Sequence, residues 1–213
     1  MRRIGRRRSS WAGSGGWFRS MVPRVKNLRR IAALLIATSC FVSATAGAVE
    51  IEGVAFPDRH QLSGTLLRLI GVGLLRYRVL FKGYVAALYL GEQVRPEQAL
   101  EDVPRRLEIE YFWSIPAEGF AEATIRGIAR NVDAETRLRL RSRIDEINAL
   151  YEDVEPGDRY SLTYVPGNGT ELALNGEARG VIEGADFSSA LFSIWLGSDP
   201  LDPKLRDQLL ARR

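Results

Sequence analysis

Residues 66–90 read LLRLIGVGLLRYRVLFKGYVAALYL, and this run decides how the rest of the chain is arranged. Arg68, Arg76, Arg78 and Lys82 make it too polar to cross a membrane, yet it is too apolar for a loop. Gly71, Gly73 and Gly83 divide it into short runs rich in Leu, Val and Tyr, which predicts consecutive β-strands. Arg76 and Arg78 are two apart and share one face, and Lys82 joins them if the register holds. A cation on a strand inside an apolar sheet either extends to water or meets an anion.

Residues 1–48 read as a leader rather than as fold. They carry ten Lys/Arg and no Asp or Glu. Arg29 and Arg30 precede the apolar run IAALLIATSCFVSA, and Ala46-Gly47-Ala48 follows it. A basic region, a short apolar region and an A-x-A site predict a secretory signal peptide cleaved near Ala48. Met21 offers a start that gives this leader an ordinary length. A retained anchor is the alternative, but the apolar run is short for a span. Ala37 stands where a lipoprotein signal prefers a larger aliphatic residue, so Cys40 argues little for lipidation. The mature chain, 49–213, is then expected to be periplasmic or secreted.

Removing the leader reverses the charge. The whole chain is formally +4; residues 49–213 keep 20 Lys/Arg against 26 Asp/Glu, or −6. The basic pI of 9.4 therefore belongs to the leader and makes no case for nucleic acid. Cys40 is the only cysteine, so the mature chain has neither disulfide nor thiolate chemistry. About 165 residues suit one domain.

In order, residues 49–56 alternate as a strand, Pro57-Asp58 turns, and 62–70 form a second strand. Residues 96–102 predict a short helix with Pro96 at its first position. Residues 106–113 alternate with Leu107, Ile109, Tyr111 and Trp113 on one face, a half-buried antiparallel strand. A helix starts at Pro116 with Phe120, Thr124, Ile125 and Ile128 on a stripe. A second, capped by Asn131 or Asp133, carries Leu140, Ile144, Ile147 and Tyr151. Arg137, Arg139, Arg141 and Arg143 spread around that helix and read as a solvated face. Strands at 159–165, 170–174 and 177–182 follow, joined by Gly167-Asn168-Gly169 and by Asn175-Gly176, a pair suited to a primed turn. Helices at 185–196 and about 203–211 close the chain. The order predicts an α+β fold with helices on one face of an antiparallel sheet.

His60 is the only histidine and is expected in a polar turn, which predicts a surface role. With one His and no mature Cys, neither a Ser-His-Asp triad nor a soft-metal site is supported, and no cofactor is expected. What remains is Arg76, Arg78, Lys82, Tyr84 and Tyr89 on the central strands, under helices bearing Phe120, Thr124, Ile128, Phe192 and Trp195. Two readings stand. Either these close an apolar cavity with a cation at one end, suited to an amphiphilic carboxylate, or the aromatics are ordinary core and the cations sit at strand ends.

The stretches GVGLLRYRVLFKGYVAALYL, WSIPAEGFAEA and DFSSALFSIWLGSDPLDPKLRDQLL resemble the chalcone isomerase-like superfamily, nearest to its exported bacterial branch. The resemblance spans 49–210 and implies an open-faced β-sandwich, a large antiparallel sheet with a helix layer and a ligand cleft between. The superfamily includes enzymes that cyclise chalcones and non-catalytic proteins that bind fatty acids. Of the enzyme's residues, the catalytic arginine falls at Arg76 across a small gap, the strand threonine at Tyr84 and the helix tyrosine at Phe120. The asparagine falls near Gly127, and the last hydroxyl near Ser193 or Ile194. Four of these five positions are altered or displaced, so the resemblance implies a fatty-acid or other amphiphile binder. In that reading Arg76 takes the head group, Tyr84 supplies a hydrogen bond, and Phe120, Thr124, Ser193 and Trp195 line the pocket. The alternatives are an intramolecular lyase using Arg76, or a ligand-free envelope interaction module.

Overall fold

The computed structural model describes residues 47–62, 64–77 and 81–211. Residues 1–46 of the expected leader and Arg78 lie outside the described residues. Seven strands pair in chain order, each antiparallel to the next. They are β3 Arg59–Leu62, β4 Thr65–Tyr77, β5 Phe81–Gly91, β6 Arg105–Tyr111, β7 Arg159–Val165, β8 Gly169–Leu174 and β9 Glu177–Ile182. Two earlier strands, β1 Ala48–Ile51 and β2 Val54–Pro57, form a separate hairpin. Helices α1 Ala117–Asn131 and α2 Ala134–Ala149 are inserted between β6 and β7, while α3 Ala185–Leu196 and α4 Pro203–Leu210 follow β9. This is the expected α+β architecture, a curled antiparallel sheet backed by helices.

The glycines of the central stretch do something other than break it. β4 runs through Gly71 and Gly73 for 13 residues and β5 through Gly83 for 11. A Cβ on Gly71 would lie 2.2 Å from the Gln208 carbonyl oxygen, and one on Gly73 would lie 2.6 Å from Leu205 Cδ1. These glycines let α4 lie directly on the sheet. β4 ends at Tyr77 and β5 begins at Phe81.

Local differences follow from turn chemistry. The expected strand at 49–56 is a hairpin, because Glu52 (φ 53°) and Gly53 (φ 84°) make a turn. The expected strand at 62–70 is split at Gly64, whose φ is 88°. The helix expected at 96–102 is a single 3-10 turn, Pro96–Gln98. Asp133, not Asn131, caps α2, its side chain accepting from Thr136 N at 2.7 Å. Asn175 and Gly176 adopt the expected positive φ.

Side chains alternate between two cores. Tyr84, Ala86 and Leu88 of β5 join Leu107, Ile109, Ile128, Ile144 and Leu191 under the helices. Val85, Ala87 and Tyr89 pack on the opposite face beneath Val54 and Phe56 of the hairpin. Each fully buried large apolar side chain contributes about 1.5–3 kcal/mol.

Candidate functional site

The cavity lies on the helix-covered face. Tyr84 on β5 stands opposite Tyr111 on β6, and Ile109 stands opposite Tyr160 on β7, so the strand register gathers three tyrosines on one patch. Phe120, Ala123 and Thr124 of α1, Tyr151 beyond α2, Ile194 and Trp195 of α3, and Leu201 close over them. The cavity volume is about 150 Å³. None of its sixteen lining residues is charged. At Gly127 a Cβ would fall 2.7 Å from Ile194 Cγ1, so α1 and α3 touch there and the site receives no side chain from that position.

The rings form one edge-to-face cluster. Tyr111 lies 5.7 Å from Tyr84, 5.3 Å from Phe120 and 6.2 Å from Tyr160; Phe120 lies 5.2 Å from Tyr160. Trp195 Nε1 donates to the Tyr84 hydroxyl at 3.0 Å. The hydroxyls of Thr124 and Tyr151 share a hydrogen bond of 2.9 Å. The Tyr160 hydroxyl accepts from Glu152 N at 2.7 Å and donates to the Glu152 carbonyl at 3.0 Å. Burial raises the phenol pKa of Tyr84 and Tyr111, and lifts that of Tyr151 to about 12. At neutral pH these groups are uncharged phenols, not bases.

Four of the expected site residues, Tyr84, Phe120, Thr124 and Trp195, come together here. Arg76 is not with them, and this is the main correction to the expected site. Its guanidinium lies 3.4 Å from Glu52 Oε1 at the hairpin tip, and Lys82 Nζ lies 2.5 Å from Glu52 Oε2. Both cations meet an anion on the hairpin side of the sheet. Arg76 faces that side by alternation, since its neighbour Leu75 opposes Tyr84; Lys82 joins it through a β-bulge that leaves Gly83 over and turns Lys82 away from the Tyr84 face. Ser193 is also elsewhere, donating to the Ala190 carbonyl at 2.6 Å beside Asn131 and Ser189.

Tyr111, Tyr151 and Tyr160 are site residues that the sequence reading did not select. Tyr111 shared the predicted apolar face of Leu107 and Ile109, and that phase was the available signal. Trp113, assigned to the same face, is 55% exposed because β6 ends at Tyr111. The deeply buried cation is Arg105, held between the rings of Tyr164 and Phe192 at 4.7 and 4.8 Å and donating to Ser188 Oγ at 2.7 Å. It fastens the 99–101 loop to α3 and does not line the cavity.

His60 sits on β3 rather than in a polar turn. Its ring meets Tyr89 edge-on at 4.5 Å, and its Nε2 lies 3.0 Å from Glu108 Oε1. Arg106 and Arg159 also reach this buried carboxylate, at 2.8 and 3.2 Å. The Arg159 guanidinium lies 4.7 Å over the Phe56 ring, clamping the hairpin to the sheet. Among the described residues no group of three His, Cys, Asp or Glu side chains is arranged to hold a metal.

The chain belongs to the chalcone isomerase-like family, whose model matches residues 48–211. No curated protein matches it. Among solved structures, the fold matches a fatty-acid binding protein of Arabidopsis thaliana with a TM-score of 0.61 and 15% identity, covering 77% of this chain and 96% of that one.

Proposed function

We propose that this protein is a non-catalytic binder of a small apolar molecule, held between the sheet and helices α1 and α3. The observation that carries the reading is the 150 Å³ cavity with no charged side chain in its lining. The fatty-acid binding role of the Arabidopsis thaliana protein of this fold supports a binding function. A lyase of the chalcone-cyclising type needs a polarising group beside the reacting carbonyl, and Arg76, the candidate for that role, is engaged with Glu52. Binding takes place after export, as the basic, apolar and A-x-A segments of residues 1–48 suggest for a member of the exported bacterial branch.

The test is solvent extraction of the purified protein, with mass spectrometry of both extract and chain. A stoichiometric apolar compound, lost when Ala123→Leu narrows the cavity, supports the reading. An empty extract, with no apolar ligand binding in titration, sinks it. A mature N-terminus near Val49 is the expected sign of export.

A further inference from the structure

We infer that the molecule this cavity takes is neutral and ring-sized, with a carbonyl-type oxygen that accepts a hydrogen bond from the Tyr111 hydroxyl; the inference rests on the binding role proposed above. Tyr111 lines the cavity and is only 5% exposed, and the side-chain hydrogen bonds among the lining residues are made by the other three tyrosines. The other lining phenols are engaged. Tyr160 is satisfied in both directions by Glu152, Tyr151 pairs with Thr124, and the Tyr84 oxygen accepts from Trp195. Tyr84 thereby keeps a proton of its own beside Tyr111, its partner across β5 and β6. Two phenol protons on adjacent strands suit an acceptor better than a donor.

Charge and size narrow the class. A carboxylate in this lining would lose its hydration with no cation in return, since Arg76 and Lys82 serve Glu52 on the other face. An engineered protein cavity of about 150 Å³ takes benzene, so the volume here accommodates one ring. Burial keeps the Tyr111 phenol protonated and therefore able to donate.

Three probes of similar shape separate the possibilities: acetophenone, isopropylbenzene and benzoate, titrated calorimetrically at neutral pH into the wild type and Tyr111→Phe. Tyr111→Phe keeps the ring contacts, and its melting temperature reports whether it folds. Acetophenone is expected to bind more tightly than benzoate and to lose about tenfold in Tyr111→Phe, while isopropylbenzene is unchanged. Benzoate binding as tightly as acetophenone overturns the inference. So does an acetophenone affinity indifferent to Tyr111→Phe, with the apolar binding role left standing. Failure of all three probes to bind removes that role as well.

Discussion

Trp195 Nε1 on α3 donates to the Tyr84 hydroxyl on β5 at 3.0 Å, and this is the polar tie between the helix layer and the strand that floors the cavity. Replacing Tyr84 by Phe leaves the indole N–H without its acceptor in a part-buried site. Loss of a partner in such a place costs about 1–3 kcal/mol. Urea denaturation of Tyr84→Phe is expected to show a loss in that range with little change in m. A midpoint equal to that of the wild type would mean that water replaces the phenol at no cost.

Gly71→Ala is expected to loosen α4. The added methyl would meet the Gln208 carbonyl at 2.2 Å, and backbone cannot rotate away as a side chain can. Overpacking of this kind costs roughly 1–3 kcal/mol. Limited proteolysis checks it: cleavage near residues 203–210 should accelerate, whereas Gly157→Ala, with open space around it, should strain only its own turn.

Glu108 makes stability depend on acid pH. Burial alone would raise its pKa, but His60 and Arg106 outweigh that and hold it at about 2, below the ordinary 4.5. A depressed carboxyl pKa stabilises the fold above the unfolded value and loses that contribution as pH falls through the folded one. The loss therefore falls between about pH 4.5 and 2, and is on the order of 3 kcal/mol. Acid titration of the melting temperature should show a fall in that window that is flatter in Glu108→Gln. At neutral pH the variant should be less stable, because Arg106 and Arg159 lose their shared anion.

Arg76→Ala should leave ligand affinity in the cavity unchanged and cost less than about 1 kcal/mol, as an exposed ion pair does. A large loss of affinity in calorimetry would return Arg76 to the site.

The alternation of Leu107, Ile109 and Tyr111 made β6 legible, and the stripe Phe120, Thr124, Ile128 made the cavity-facing side of α1 legible. Both signals are local. The errors arose where a distant partner or a one-residue slip decides. Gly71 and Gly73 read as strand breaks because α4, the element they admit, lies more than 130 residues away, as does the Gln208 side chain that accepts from Leu74 N. Arg76 read as a cavity cation because the resemblance set the enzyme's arginine there, whereas alternation from Leu75 puts it on the hairpin face; the surplus residue at Gly83 turns Lys82 to the same side, and period two has no means of announcing that bulge. Glu108 was missed, and His60 read as a surface residue, because neither apolar face nor motif marks a carboxylate bound by three elements.

The seat of α4 on β4 also sets an order of events during synthesis. β4 is made early, but its glycine-lined face stays uncovered until Leu205, Gln208 and Leu209 have been translated. Contacts of such long separation form late and slowly. A nascent chain stopped short of residue 203 therefore presents a long, weakly charged strand with no cover, the surface on which chains stick to one another. Completion of the last eight-residue helix is the step that removes this hazard.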